Sequence, residues 1–310
     1  MPFMKDLVVK DNALINASYN LDLVEQRLIL LAIVEARESG KGINANDPLE
    51  VHADSYINQF NVHRNTAYQA LKDACKDLFA RQFSYQEKKA NGNVRNVMSR
   101  WVSQIAYNDN EATVDLIFAP AVVPFITRLE EQFTKYELQQ VSSLSSAYAI
   151  RLYELLIQWR STGKTPIIEL EDFRKKLGVL DNEYLRMAHL KERVLELSIK
   201  QINEHTDITV KYEQHKKGRS ISGFSFSFKQ KKLAIQSQEQ KKQANKFVKM
   251  TDPQRHLFAN KLSELPEMGI YSQGTESYQQ FAVRIAEMLK DAKKFEELFP
   301  YLQKVGFKSS

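Results

Sequence analysis

The strongest constraint on the fold of this chain is a repeated order of secondary-structure signals. Twice, a strongly apolar helical stretch ends at a breaker that contains Ser, Gly and Lys, and a short strand, a short helix, a longer helix and a hairpin follow. Three pairs of dipeptides match between the two copies at nearly constant separation. Arg27-Leu28 and Arg151-Leu152 are 124 residues apart, Leu49-Glu50 and Ile168-Glu169 are 119 apart, and Leu71-Lys72 and Leu190-Lys191 are 119 apart. This agreement predicts two copies of one small α+β unit.

The first copy is predicted to hold a helix over 65–82 with four residues on its packed side: Leu71, Cys75, Leu78 and Phe79. A hairpin follows, with strands over 84–88 and 95–107 and the reversal signal Asn91-Gly92 between them. Residues 113–118 add another strand, and a helix that begins near Pro120 and Pro124 runs toward Phe133.

The second copy ends in a helix and a hairpin over 184–228. The helix begins at Tyr184, and its spacing predicts a packed side of Leu190, Val194, Leu197 and Gln201. Five polar residues gather on the other side: Arg186, His189, Arg193, Glu196 and Lys200. Apolar and polar residues alternate in the hairpin, whose turn has three cations: Lys216, Lys217 and Arg219. A helix followed by a basic hairpin is the winged-helix arrangement, in which the helix enters a major groove and the hairpin lies along phosphates.

An amphipathic helix with charges on one side is more often a solvated surface helix than a DNA-reading helix. The hairpin tip favours the DNA-reading interpretation, because three cations within four residues repel one another unless an anion lies beside them. The whole chain has 44 basic and 38 acidic residues, a formal net charge of +6. We therefore expect a polyanionic partner.

Composition limits the other possibilities. A chain of 310 residues is long enough for two or three domains, each with its own core. The single cysteine, Cys75, forms no disulfide within the chain and is predicted to be a buried structural thiol. The N-terminal residues lack an apolar signal core and no run of 18 apolar residues occurs, so we expect a cytosolic, soluble protein without a membrane partner.

Catalytic and metal-binding motifs are not apparent. Gly163-Lys164-Thr165 is like the end of a phosphate-binding loop, but Gln158 stands where that loop needs a glycine and the segment follows a helix instead of a strand. The six histidines include no pair at metal-ligand spacing. Tyrosines are plentiful, so their number does not exclude one that acts as a nucleophile in DNA nicking. Such nicking would also need a metal-binding cluster, and the sequence shows none. We expect no enzyme activity, no cofactor and no metal.

The two copies differ in charge. The exposed side of the first copy's longer helix is nearly balanced: Gln69, Lys72, Asp73, Lys76 and Asp77. The second copy's helix is more basic, and arginine can bond the guanine edge in bidentate fashion, so base reading is assigned to the second copy. Phosphate contacts are assigned to five cations of the first copy: Arg64, Lys88, Lys89, Arg95 and Arg100. The apolar strands of the first copy could instead pair with another copy of the chain.

Beyond the second copy, residues 231–250 are rich in Gln, Lys and Ser, which is typical of a linker or a solvated basic helix. Three short helices are predicted after it. The predicted fold class is α+β: tandem duplicated winged-helix domains over 1–135 and 136–230, the basic linker over 231–250, and a small all-helical C-terminal tail over 251–310.

Three segments resemble a known family: VVKDNALINASYNLDLVEQRLILLAI, LSSAYAIRLYELL and HLKERVLELSIKQINEHTDITVKYEQHKKGRSISGFSFSF. They are similar to the iteron-binding replication initiators of bacterial plasmids, a RepB-like group with two winged-helix domains, and most of all to members from Acinetobacter-type plasmids. The resemblance covers about residues 6–229. The family's base-reading motif, Arg-Met-x-x-Phe-Arg-Arg-Arg, is matched by residues 186–193, where Arg186, Lys191 and Arg193 agree in charge. Glu192 replaces a basic residue, which leaves open which bases are read.

The resemblance implies a bacterial cytoplasmic protein that binds direct repeats (iterons) in double-stranded DNA at a plasmid origin. It implies help in melting an adjacent AT-rich segment and recruitment of the host initiator DnaA and the replicative helicase. It also implies a monomer that binds repeats through both domains, and a homodimer joined through the first domain that represses the initiator's own promoter. The expected base-reading residues are Arg186, His189, Lys191, Arg193 and Lys200, with Lys216, Lys217 and Arg219 on phosphates.

Three alternatives remain. A winged-helix transcriptional repressor with no replication role has the same sequence features, and only the neighbourhood of its gene distinguishes it. A nicking enzyme of rolling-circle type would leave a tyrosine-linked DNA product. A structural protein that merely has basic hairpins would give no footprint on DNA.

Overall fold

The computed structural model describes residues 6–44, 46–89, 91–127, 133–231, 250–265, 268, 271 and 277–307. The chain forms two units, Met1–Lys231 and Lys232–Ser310. Apart from its two end residues, the basic linker predicted over 231–250 lies outside the described residues.

The first unit contains both repeats. The first repeat and the elements before it comprise β1 (Leu7–Asp11), α1 (Asn12–Asn16), β2 (Ser18–Tyr19), α2 (Leu23–Ser39), β3 (Leu49–His52), α3 (Ala53–Phe60), α4 (Arg64–Ala80), β4 (Gln82–Lys88), β5 (Val94–Arg100), β6 (Val102–Asn108), β7 (Thr113–Phe118) and α5 (Val123–Thr127). The connecting elements are β8 (Phe133–Glu137), which pairs antiparallel with β1, and α6 (Gln139–Ser142). The second repeat comprises α7 (Ala147–Ile157), β9 (Ile168–Glu169), α8 (Leu170–Leu177), α9 (Met187–Leu190), a π-helical turn (Lys191–Glu196), α10 (Leu197–His205), β10 (Ile208–Lys217) and β11 (Ser220–Gln230).

The central helix of the first repeat, α2, forms where the sequence has clear start and stop signals. Asp22 accepts a hydrogen bond from the backbone N–H of Glu25, and the Glu25 carboxylate accepts one from the N–H of Asp22, which completes a capping box. Gly40 ends the helix in the left-handed conformation, with φ 71°. Most of α2 is buried, and so is most of α7, its counterpart in the second repeat. Each repeat is therefore built around one apolar helix.

The two repeats have sheets of the same topology. The strand order is β3-β7-β6 in the first repeat and β9-β11-β10 in the second, and the middle strand pairs antiparallel with both neighbours in each. This confirms the α+β fold with tandem winged-helix domains. β6–β7 is the wing of the first domain, and β10–β11 is the wing of the second. The boundary after residue 135 falls inside β8 and stays a prediction.

The single strand predicted over 95–107 is wrong. Trp101 divides it into β5 and β6, which belong to different sheets. The indole is fully buried, with its ring centroid 4.8 Å from that of Tyr19 and 5.0 Å from that of Phe83, and the chain turns to place it there. β4–β5 is consequently an inserted hairpin, paired with β2, that has no counterpart in the second repeat. The helix predicted from near Pro120 and Pro124 is present as α5, but Phe133, toward which it was predicted to run, begins strand β8.

The longer helix of the second repeat begins at Met187 instead of Tyr184, which has a left-handed φ of 44°. The helix continues through the π-helical turn, which holds more residues than an α-helical turn. Leu190, Val194 and Gln201 are buried as predicted, whereas Leu197 is 42% exposed and the fully buried Ser198 takes its inward position. The prediction for Leu197 is wrong because it assumed 3.6 residues per turn throughout.

Gly163-Lys164-Thr165 packs along β11. The N–H of Thr165 donates to the carbonyl of Phe226 at 3.0 Å, and the N–H of Phe228 donates to the carbonyl of Gly163 at 2.8 Å. Gly163 has φ +65°, and a Cβ there would come within 2.8 Å of the Phe228 carbonyl oxygen. Gly163 and Thr165 therefore have a structural role, because they bond the edge of β11 in the sheet of the second domain.

Arg151 on α7 joins the two repeats. Its guanidinium is fully buried, and Nη2 donates to the carbonyls of Ile15 and Ala17 at 2.9 Å, both of which precede α2. The same atom donates to the carbonyl of Lys176 on α8 at 2.6 Å. A buried guanidinium without partners is strongly unfavourable, so these bonds fix α7 and α8 against the first repeat.

A buried carboxylate lies beside Arg151. Glu154 accepts hydrogen bonds from Lys10 Nζ and from the Tyr136 hydroxyl, both at 2.7 Å. Lys10 is on β1 and Tyr136 is on β8, so this cluster also spans the junction of the two repeats. Burial is the main reason that the pKa of Tyr136 lies well above its ordinary value, with the nearby Glu154 charge adding to it.

The second unit is helical over the part that the structure describes. It contains α11 (Asp252–Ser263), α12 (Tyr278–Met288) and α13 (Ala292–Lys304). Capping boxes at Thr251 and Ser277 begin the first two helices. The apolar core of this unit includes Leu262, Ile285 and Leu298, each with no exposed surface. Within the described part of 251–310, the small helical tail is present as predicted.

Candidate nucleic-acid interface

A pinned loop leads into the longer helix of the second domain. Arg174 on α8 donates to three carbonyls of this loop, those of Tyr184 at 3.2 Å, Leu180 at 3.1 Å and Glu183 at 2.6 Å. The Glu183 carboxylate accepts from the N–H of Leu180 at 2.9 Å and from the hydroxyl of Tyr148 at 3.3 Å. The loop therefore has one set conformation. Sequence analysis missed the role of Arg174, because contacts within an irregular loop leave no periodic signal.

The exposed side of this helix presents cations that no protein group neutralises. Arg186, Arg193 and Lys200 are exposed and have no hydrogen-bond or ion-pair partner among the described residues. Arg186, the half-buried His189 and Arg193 line one shallow surface depression. A free guanidinium keeps all five donors for an external acceptor, such as a base edge or a phosphate. Of the five predicted base-reading residues, His189, Arg193 and Lys200 thus lie on the helix and Arg186 is its N-cap, and none of these four has a side-chain partner among the described residues.

Lys191, the fifth, is engaged with the wing. Its Nζ lies 3.4 Å from Oε1 of Gln214 and 5.9 Å from the ring centroid of Tyr212, both on β10. The hydroxyl of Tyr212 donates in turn to Glu196 at 3.2 Å. These contacts hold helix and wing side by side, and Lys191 would have to leave Gln214 to contact a base.

The wing of the second domain projects beyond its sheet. β9 pairs with β11 at Gly223 and Phe224, and the segment 163–165 bonds β11 at Phe226 and Phe228, so only the end of the hairpin beyond Gly223, toward the turn, extends as two strands alone. A Cβ at Gly223 would come within 2.4 Å of the Ile168 carbonyl oxygen, which makes glycine necessary at this close approach. The tip holds three exposed cations that have no partner within the described part of the chain: Lys216, Lys217 and Arg219. A cationic tip of this kind suits the phosphate backbone.

The predicted phosphate-contact residues of the first domain are placed differently. Four of them lie on or beside the inserted hairpin β4–β5 and not on the wing: Lys88, Lys89, Arg95 and Arg100. The repeated order of elements in the sequence equated this hairpin with the basic hairpin of the second copy, and that equivalence is wrong. Whether these residues contact phosphate stays a prediction.

Three of the five first-domain cations have partners within the protein. Arg64 pairs with Asp54 at 2.7 Å and Arg95 with Glu87 at 2.5 Å. Arg100 donates to the carbonyl of Phe79 at 2.6 Å, and its guanidinium lies 5.6 Å from the Phe79 ring centroid. Lys88 and Lys89 are exposed and unpaired within the described residues. The first domain thus offers fewer free cations than the second.

The wing and helix of the first domain are close to neutral. The turn between β6 and β7 contains Asp109 and Glu111, and Asp109 pairs with Lys72 on α4. Lys76 lies 3.5 Å from Asp73 on the same helix. Phe79, predicted to face inward, is 47% exposed, because the buried side of α4 runs through Leu71, Cys75 and Leu78 and the next residue lies beside that line. The Arg100 guanidinium covers part of the Phe79 ring. This charge balance agrees with the assignment of base reading to the second domain.

Other reactive groups fit structural roles. Cys75 is buried as predicted, and burial raises the pKa of its thiol to about 12, so it is a poor nucleophile. Asp22, Glu25 and Asp77 lie close together, but Glu25 is already paired with Arg81 at 2.8 Å. Of the helices that the structure describes, none has the length and apolar character needed to cross a membrane.

The fold and the free cations define a DNA-binding protein with two winged-helix domains. Two family models match the chain: the initiator replication protein WH1 domain over residues 7–157, and the initiator Rep protein WH2 domain over residues 169–228. The chain belongs to the family of replication initiator proteins with these two domains.

Individual known proteins are similar to this chain. A replication initiation protein of Escherichia coli is 25% identical over 229 residues, which is 72% of this chain and 70% of that protein. The crystal structure of the Pi initiator protein in complex with iteron DNA is 24% identical, covers 74% of this chain and 98% of that chain, and has a TM-score of 0.60, which shows a shared fold. The WH1 domain of MSBI1.176, a replication protein isolated from a multiple sclerosis patient, is 81% identical and covers 42% of this chain and 98% of that chain, with a TM-score of 0.34.

Proposed function

We propose that this protein initiates plasmid replication in the bacterial cytoplasm by binding direct repeats at the origin. The observation that supports this most is the set of unpaired cations on two adjoining elements of the second domain. The helix over 187–205 enters the major groove, where Arg186 and Arg193 read base edges, and the wing tip lies on phosphates. No step of this function requires a catalytic group.

The first domain contacts the DNA backbone and joins two copies of the chain. Strand β5 supports the second role, because it pairs with β4 on one side and its other side has no partner strand among the described residues. Met98 is 71% exposed and Val94 is 61% exposed on this edge strand. An exposed edge with apolar side chains is a surface on which a second β5 can pair. In this proposal the monomer binds the repeats, and the dimer represses the promoter of its own gene.

Bound to the repeats, the monomer promotes opening of the adjacent AT-rich segment and recruits host DnaA and the replicative helicase. The similarity to an initiator solved with iteron DNA supports the DNA partner. Family membership is the support for proposing the two host partners.

A footprint on the parent replicon tests the proposal. We expect protection of several direct repeats beside an AT-rich tract, and loss of plasmid maintenance when the gene is disrupted. Protection of a promoter alone, with plasmid maintenance unaffected, would instead identify a transcriptional repressor. The absence of any footprint would overturn DNA reading by the second domain.

A further inference from the structure

One apolar side chain stands out next to the base-reading cations. Leu185 is 78% exposed, the largest exposed fraction of any large apolar residue within the described part of the chain. It immediately precedes Arg186, and it lines the same surface depression as Arg186, His189 and Arg193. An apolar group is therefore held in water among polar groups that have no protein partner.

The backbone enforces this exposure. Tyr184, just before Leu185, has a left-handed φ of 44°, which is unfavourable for a residue other than glycine. Arg174 fixes the carbonyl of Tyr184 at 3.2 Å and that of Glu183 at 2.6 Å, so the strained turn is held from α8. Leu185 is thus presented outward by a rigid turn.

The usual structural role of such a residue is not fulfilled. An apolar residue just before a helix often packs onto the fourth helical residue, as a hydrophobic staple. Here that residue is Leu190, which is 1% exposed, whereas Leu185 keeps 78% of its surface exposed and is therefore not packed as a staple would be. Folding of the isolated chain therefore gains little from leucine at this position, and the side chain is available to a bound partner.

Resting on the proposed function, we infer that Leu185 is a specificity residue that contacts the 5-methyl group of a thymine beside the base read by Arg186. The N-terminal residues of a recognition helix reach the base edges. The thymine methyl is the apolar group that the major groove displays, and it is read by contact with apolar groups of side chains. Leu185 and Arg186 together then read two neighbouring base pairs by different chemistry.

The test uses the full chain and duplexes of the repeat found by footprinting, with each thymine in turn replaced by deoxyuridine, which lacks the methyl. Affinity is measured by fluorescence anisotropy. For the unmodified protein we expect one replacement to weaken binding about fourfold, the effect of exposing one methyl-sized apolar group. Leu185→Ala should bind the thymine duplex about fourfold to tenfold more weakly and should not distinguish thymine from uracil at that position. Leu257→Ala, at a leucine of α11 that is 53% exposed and outside the DNA-binding domains, is the matched control and should behave as the unmodified protein.

Each other outcome is decisive. If Leu185→Ala binds the repeat normally while Arg186→Ala loses affinity, the inference fails and the proposed function stands. If Leu185→Ala weakens binding equally on random DNA, the side chain contacts the sugar-phosphate chain and the inference fails. If Leu185→Ala binds DNA normally but abolishes plasmid maintenance, Leu185 contacts a protein instead. If neither Leu185→Ala nor Arg186→Ala affects binding, the proposed function itself fails.

Discussion

Lys10 Nζ lies 2.7 Å from Glu154 Oε1, in an ion pair between β1 and α7 whose side chains are 3% and 1% exposed. Burial by itself raises the pKa of Glu154, but the charges of Lys10 and Arg151 and the hydrogen bonds from Lys10 and Tyr136 outweigh burial and hold that pKa below its ordinary value. The carboxylate therefore stays charged at the junction of the two repeats, and the fold depends on its partners.

Replacement of Lys10 by methionine should lower the free energy of unfolding by about 3–5 kcal/mol, because Glu154 is then left as a buried charge without its closest partner. Urea denaturation measures this. Lys135→Met is the matched control, since Lys135 is an exposed lysine on the neighbouring strand β8. It should change stability by no more than about 0.5 kcal/mol. Equal stability of the two variants would contradict the role of the pair.

The contribution of Glu154 should disappear in acid. Because the pKa of Glu154 is lower in the folded protein than its ordinary value of 4.5, its stabilising effect is complete above pH 4.5 and is lost as pH falls through the folded pKa. The difference in unfolding free energy between the unmodified protein and Glu154→Gln should therefore narrow below pH 4.5. Urea titrations at a series of pH values measure it, and a difference that stays constant into acid would show that Glu154 does not titrate in this way.

Arg186→Ala and Arg193→Ala should each cost about 1–3 kcal/mol of binding free energy on the cognate repeat and much less on random DNA. The reason is that a free arginine bonds a base edge only when the correct base is present. Lys175→Ala, an exposed lysine on α8 that borders a different groove, controls for loss of one positive charge. Anisotropy titrations on both duplexes measure the effect. Equal losses on both would place these arginines on phosphates.

Removal of the wing-tip cations should act on all DNA sequences alike. Each of Lys216→Ala, Lys217→Ala and Arg219→Ala should make the dependence of log affinity on log salt shallower by about one unit. Titrations at several salt concentrations measure the slope, with Lys41→Ala, an exposed lysine in a first-domain loop, as the control. If the salt dependence is unchanged in all three variants, the wing tip does not contact DNA.

Met98→Lys should shift the protein toward the monomer, because a lysine on an exposed edge strand opposes pairing with a second strand. Light scattering during gel filtration measures the mass. Val283→Lys, at a residue of α12 that is 60% exposed, changes the same kind of surface in the other unit and should leave the mass unchanged. If Met98→Lys dimerises as the unmodified protein does, β5 is not part of the interface between the two copies.

The duplicated fold could be read from the sequence because apolar periodicity and breakers recur in one order. The apolar stretches of α2 and α7 and the alternation in β10 and β11 correspond closely to the structure. Predictions that assumed regular geometry were wrong. Leu197 lies outside because a π-helical turn changes the spacing, and the strand over 95–107 breaks because Trp101 is drawn into a core made of distant residues.

The candidate site was predictable only in part. Arg186, Arg193 and the wing-tip lysines were identifiable because cations cluster there, and a cluster is visible in the sequence alone. Their lack of protein partners was not, since pairing depends on distant residues such as Asp54, which holds Arg64 in the first domain. The turn held by Arg174 likewise depends on tertiary contacts that no local pattern encodes.

The bonds of Arg151 to both repeats have a consequence for the DNA itself. These bonds fix α7 and α8 against the first repeat, so the distance between the two domains is constant. The protein therefore suits DNA sites of one length. If both domains contact one repeat, an insertion of about five base pairs between their contacts would rotate one of them to the far face of the duplex, since a turn takes about 10 base pairs. Origin repeats that this protein uses should accordingly be uniform in length.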